Sequence, residues 1–178
     1  MWLCLLIAAC GGGGSSGGAS HALPSAAGAK DLEALIPGEV GGITLQRLSM
    51  RGNEFASSGG ATEETQNFIE GLGVATDDVA VAAGFGSSTD AGGALVVFIF
   101  RADGAGSERL LSVFKDALNS DRDDPLSWEA VTIGGKQVER AVDTKQDGRV
   151  YVYAHGDVLF YVAATREDDA AGALEALP

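Results

Sequence analysis

The apolar positions change their period several times along the chain, and each change marks an element. Asp31 to Ile36 reads as a short helix stopped by Pro37-Gly38. After Val40-Gly41-Gly42, Ile43 and Leu45 alternate with polar neighbours, and a one-residue slip brings in Leu48, which predicts a strand. Thr62-Glu63-Glu64 opens a helix with carboxylates in its first turn, where the helix dipole favours them. Phe68, Ile69 and Leu72 fall on one face of it, and Gly71 and Gly73 mark its end.

Val79 to Phe85 and Ala94 to Phe100 are predicted strands. The second is apolar at both parities, as a central strand covered on both faces should be. Ser107 is placed as the cap of a helix whose stripe is Leu110, Leu111, Phe114, Ala117 and Leu118, followed by a polar loop from Asn119 to Pro125. Two hairpins come next. Trp128–Ile133 and Gln137–Val142 turn about Gly134-Gly135, and Val150–Ala154 and Val158–Ala164 turn near Gly156-Asp157. Thr165 to Leu177 closes the chain as a helix, with Thr165 as its cap and Asp168 three residues on.

One segment echoes another. Val40-Gly41-Gly42-Ile43-Thr44-Leu45-Gln46-Arg47 resembles Ile133-Gly134-Gly135-Lys136-Gln137-Val138-Glu139-Arg140, and each leads into a strand pair and an amphipathic helix. The expected fold is α+β: an antiparallel sheet of about six strands with helices packed on it, arranged as two β-β-β-α halves with a helix inserted in the first.

The N-terminus follows a different pattern. Met1 to Ala9 is apolar without a break and too short to span a bilayer, which takes about 20 apolar residues. It ends in Ile7-Ala8-Ala9-Cys10, and Gly11-Gly12-Gly13-Gly14-Ser15-Ser16-Gly17-Gly18 follows. The four residues resemble the lipobox of bacterial lipoproteins. That resemblance implies cleavage before Cys10 and a diacylglyceryl group on its thiol, with acyl chains such as palmitate. Two chains give stable anchoring where one is marginal. The family's basic residues ahead of the apolar run have no counterpart here. The Gly/Ser run is a flexible coil. From Gly11 to Ala29 it carries no charge, and its reach is on the order of 25 Å by random-coil scaling. The expected organisation is a signal peptide over 1–9, lipidated Cys10 with its tether over 10–29, and one acidic domain over 30–178. The expected location is the extracytoplasmic face of the cell membrane, in the cell envelope.

Charge narrows the partners. The net charge is −13 and every charged residue lies at or after Lys30, so phosphate backbones are repelled and no nucleic-acid partner is expected. Both cysteines, Cys4 and Cys10, precede the domain, which therefore has no thiol for a disulfide, a nucleophile or a zinc site. The domain holds one histidine, His155, beside the Gly156-Asp157 turn, too few for a His-based metal site. Asn119-Ser120-Asp121-Arg122-Asp123-Asp124 has the alternating oxygens of a calcium loop, but Asp124 stands where Gly is needed and Ala130 where Glu is needed. Gly84-Phe85-Gly86-Ser87-Ser88 lacks the third Gly and the Lys of a phosphate loop. Gly14-Ser15-Ser16-Gly17-Gly18 matches a nucleophile elbow only in letters, because a coil supplies neither strand nor helix. Asp77-Asp78 and Asp168-Asp169 read as helix-end or solvated pairs. Tyr151, Tyr153 and Tyr161, if on one face, would line a ligand groove.

The expectation is thus a non-enzymatic domain, without metal or cofactor, that binds a protein or another envelope component. A carrier of lipid or small molecules, with a cavity between sheet and helices, is the first alternative. An envelope hydrolase using carboxylates alone is the second.

Overall fold

A computed structural model describes residues 29–57, 63–88, 92–120, 122–143 and 148–178. In chain order the elements are α1 (Lys30–Leu35), β1 (Glu39–Val40), β2 (Ile43–Thr44), β3 (Gln46–Arg51), α2 (Gly52–Ser57), α3 (Glu63–Leu72) and a 3-10 turn (Thr76–Asp78). They continue as β4 (Val79–Ser88), β5 (Gly93–Ala102), α4 (Ser107–Asn119), β6 (Glu129–Ile133), β7 (Lys136–Asp143), β8 (Gly148–His155), β9 (Val158–Ala164) and α5 (Glu167–Ala176).

The fold is α+β. Seven strands form one sheet in the order β3-β4-β5-β9-β8-β7-β6, every neighbouring pair antiparallel, and β1 and β2 form a separate two-stranded ribbon. That is one strand more than the half-repeat pattern predicts. The predicted first strand is also divided. Gly41 and Gly42 adopt φ of 57° and 82°, so the chain folds back and Val40 pairs with Ile43. Both turn positions have positive φ, which glycine adopts without steric cost.

The expected slip at Leu48 does not occur. The alternation runs on as Ile43, Leu45, Arg47, Ser49, with the last two turned toward α1. Arg47 donates to the Ile36 carbonyl at 3.2 Å, and fully buried Ser49 donates to Glu33 Oε2 at 2.7 Å. The face is continuous; polarity changes because α1 supplies acceptors there.

Two apolar cores lie on opposite faces of the sheet. One packs α1, the β1–β2 ribbon and α5 over Leu95, Val97, Ile99, Tyr151, Phe160 and Val162. The other packs α3 and α4 over Val79, Val81, Phe100, Val152, Leu159 and Tyr161. Strand β5 therefore has a buried residue on each face, as its unbroken apolar run predicts.

The register explains the sequence echo. A row across the sheet runs Arg47, Gly84, Val97, Val162, Tyr151, Arg140, Glu129. A pseudo-twofold axis normal to the sheet, between Val97 and Val162, exchanges β5 with β9, β4 with β8 and β3 with β7. It sets Arg47 against Arg140, the residues that end the two echoed segments. The second Gly-Gly turn matches the first, with φ of 56° at Gly134 and 75° at Gly135. The symmetry stops at the helices that follow. α4 leaves β5 for one face and α5 leaves β9 for the other, so the β-β-β-α halves agree in their strands and differ in their helices. The insertion in the first half comprises α2 as well as the expected α3.

Two predicted caps are reassigned. Ser107 is the first helical residue and Gly106 takes the cap position; the Ser107 hydroxyl instead donates to the Gly156 carbonyl at 2.9 Å. Arg166, not Thr165, precedes α5, and neither cap position makes a side-chain cap hydrogen bond. Thr165 is engaged with β5, its Oγ1 accepting from the Ala94 N–H at 3.0 Å.

Candidate functional site

The strand register and the start of α5 gather a cluster of charged groups at one end of the sheet. β6, β7 and β8 place Glu129, Arg140 and Tyr151 side by side in the row described above. The junction from β9 to α5 is pinned to β5 by two bonds: Thr165 Oγ1 accepts from Ala94, and the Thr165 N–H donates to the Ala94 carbonyl at 3.1 Å. This fixes Glu167, the first residue of α5, over Arg140 and Arg149.

Arg140 donates through Nε and Nη2 to one oxygen of Glu129, at 3.0 and 2.8 Å. Its Nη1 stands 3.8 Å from Glu167 Oε2. Arg149 reaches the same oxygen from the other side, Nε at 3.5 Å, and donates Nη1 to the Thr165 carbonyl at 3.4 Å. The two contacts to Glu167 are longer than ordinary N–H···O bonds, so its carboxylate sits between two guanidinium groups without a close hold on either. The Glu129 hydrogen bond raises the Arg140 pKa above its ordinary value.

Beneath these groups lies Tyr151, fully buried, whose Oη makes no hydrogen bond. Burial raises its pKa, and the Glu167 charge adds to that effect, while Arg140 and Arg149 act in the opposite direction. All three charged groups thus act on the hydroxyl, and Arg140 stands near enough to favour its ionised form as a donor as well, although no contact meets the geometry of a hydrogen bond. An unbonded buried hydroxyl costs about 1–3 kcal/mol.

A second buried polar group lies within the first turn of α5. Asp169 is 3% exposed, its Oδ2 has no hydrogen-bond partner, and Arg166 Nε stands 3.9 Å away. The carboxylate is wedged between two glycines; a Cβ would come within 2.7 Å of it at Gly41 and 2.6 Å at Gly93. The Asp168-Asp169 pair lies at a helix end, in the first turn of α5, as one of its two expected readings has it; it is not a solvated pair throughout, since Asp168 is exposed and Asp169 is inside.

The other residues singled out by sequence are placed as follows. Cys10 and Cys4 lie outside the described residues, as does the Gly14–Gly18 run. His155 is exposed at the β8–β9 turn. The predicted tyrosine face does not form: Tyr151 and Tyr153 look to the α5 side and Tyr161 to the α4 side. Tyr153 stacks on Phe160 at 4.7 Å and donates to the Pro178 carbonyl at 2.9 Å, and burial raises its pKa. Asn119 holds its loop together, Oδ1 accepting from the Leu126 N–H at 2.8 Å, as a helix-terminal polar loop would. Asp77 and Asp78 are exposed in the 3-10 turn. Gly86 belongs to β4, where a Cβ would meet the Thr44 carbonyl oxygen at 2.3 Å; its glycine serves packing of the β1–β2 ribbon.

Among the described residues no group of three or more His, Cys, Asp or Glu side chains is arranged to hold a metal ion, and no helix is long and apolar enough to cross a membrane. Arg149 and Glu167 carry no signal in the sequence that singles them out. Arg140 stood in the echoed segment, but only the strand register brings it beside Tyr151. No family model matches the chain, and neither a curated protein nor a solved structure matches it.

Proposed function

We propose that the chain is an extracytoplasmic lipoprotein, anchored through a diacylglyceryl group on Cys10, whose α+β domain is a non-enzymatic binding module for a protein or another envelope component. One observation carries this reading. The lipobox-like Ile7-Ala8-Ala9-Cys10 is followed by an uncharged Gly/Ser-rich stretch, and the first described residue after it, Ala29, is already fully buried against the sheet. A flexible spacer between a lipid and a packed domain lets the domain sample partners near the surface while the anchor raises its effective concentration there.

The test is mass spectrometry of the N-terminal peptide from the membrane fraction. A peptide beginning at Cys10 and carrying a diacylglyceryl mass supports the reading. An unmodified Cys10, or cleavage elsewhere, overturns the anchor. Crosslinking on intact cells addresses the binding role; capture of nothing beyond a control with scrambled surface residues would count against it.

A further inference from the structure

The Arg140–Arg149 pair is arranged as a carboxylate receptor. Two guanidinium groups converge on one oxygen, Glu167 Oε2, at 3.8 and 3.5 Å, and neither contact is a close hydrogen bond. The positive end of a ten-residue helix, α5, begins at that residue. Independently of the helix, the fully buried Tyr151 hydroxyl is unbonded among the same three groups, leaving a donor unused. A guanidinium pair, a phenol and a helix N-terminus are what an external carboxylate needs for charge-assisted hydrogen bonds.

We propose that Arg140, Arg149 and Tyr151 form a binding site for a carboxylate of a partner peptide, with Glu167 as a built-in competitor that a bound carboxylate displaces. Glu167 is the displaceable member because its side chain is 51% exposed and its contacts are long. Glu129 is not, because it holds Arg140 through two hydrogen bonds and fixes the orientation of the guanidinium. The inference deepens the binding-module reading by naming the partner's chemistry, and it rests on that reading.

Acetate titrated into the full chain, followed through the Nε resonances of Arg140 and Arg149, tests the site. Saturable shifts are expected, with chloride at equal ionic strength giving none. Glu167→Gln should tighten acetate binding by about threefold, as expected for loss of an exposed ionic competitor. Arg149→Gln should abolish saturation. Tyr151→Phe should weaken acetate binding by about tenfold, as for a lost hydrogen bond to a charged group, while leaving the fold at least as resistant to urea. A purely structural hydroxyl would leave acetate binding unmoved. Shifts that follow chloride equally, or an unchanged affinity in Glu167→Gln, would sink the proposal. Tighter binding of inorganic phosphate than of acetate would overturn the assignment to carboxylate. The titration reads the site alone and the Cys10 mass reads the anchor alone, so the two failures are distinguishable.

Discussion

The two glycines of one turn make unequal demands on the chain. Gly134 and Gly135 both have positive φ, yet only Gly134 is pressed against another element. A Cβ there would stand 2.7 Å from the Ala171 carbonyl oxygen and 2.8 Å from the Glu175 nitrogen, both backbone atoms of α5, whereas one on Gly135 meets nothing within 4 Å. Gly135→Ala should therefore cost only the left-handed strain, about 1–2 kcal/mol. Gly134→Ala must also push the helix away and should cost clearly more in urea unfolding. Equal losses from the two would show that α5 is free to move.

At this scale the sequence was partly legible. The dipeptides Gly41-Gly42 and Gly134-Gly135 announce tight turns because few other residues accept that backbone. The continuous face past Leu48 is not legible because Arg47 and Ser49 look like solvent residues, and only the packing of Glu33 in α1 and Ile36 just after it supplies their acceptors. The same limit hid Asp169, whose burial depends on Gly41 and Gly93 closing around it.

Among the elements, α4 shows how an amphipathic stripe becomes a packed interface. Its Leu110 and Phe114 are buried, and Phe114 meets Phe68 of α3 edge-on at 5.7 Å and Tyr161 of β9 at 5.6 Å. Phe68 in turn meets Phe100 at 4.8 Å. One ring thus ties two helices to a central strand. Phe114→Ala should destabilise the fold by about 3–5 kcal/mol, the range for loss of a buried aromatic with incomplete collapse, read as a shift of the urea midpoint with unchanged slope. A loss below about 1 kcal/mol would mean that α4 is not integral to that core. The stripe from Leu110 to Leu118 was visible in sequence. The face of the sheet it covers was not, since nothing local separates a helix that turns left of a strand from one that turns right.

Across the whole molecule, the strands obey a twofold rule that the helices break, and ion pairs join the parts. Arg101 of β5 binds Asp31 of α1 and also approaches Asp103 at 3.4 Å. Burial pushes the Asp31 carboxyl up, but the Arg101 hydrogen bond and charge together outweigh it, and the net pKa lies below the usual carboxylate value. A depressed folded-state pKa contributes stability that is present above the unfolded value and lost as pH falls through the folded one. Asp31→Asn should therefore remove a small stability increment at neutral pH and make no difference at pH values below the folded-state pKa. The increment is small because the Asp31 side chain is 60% exposed and screened by solvent. Urea unfolding of both forms across the acid range checks this, and a difference that persisted into strong acid would contradict it. The α+β class was legible from the alternation of periods. The pairing order was not, because the partners in the central β5–β9 pair lie far apart in sequence.

The last helix has one more consequence, for the timing of folding. α5 covers the same core as α1 and the β1–β2 ribbon, and its entry is bonded to Ala94 across 71 positions of sequence. The contacts that complete this core are therefore among the most non-local in the fold, and topologies of that kind close slowly. During vectorial synthesis the α1 side of the sheet must wait, with Ile43, Leu95 and Val97 uncovered, until α5 has emerged. The opposite core, with α3 and α4, has Phe68, Leu72, Val81, Phe100 and Phe114 within one half of the chain and can begin to assemble earlier.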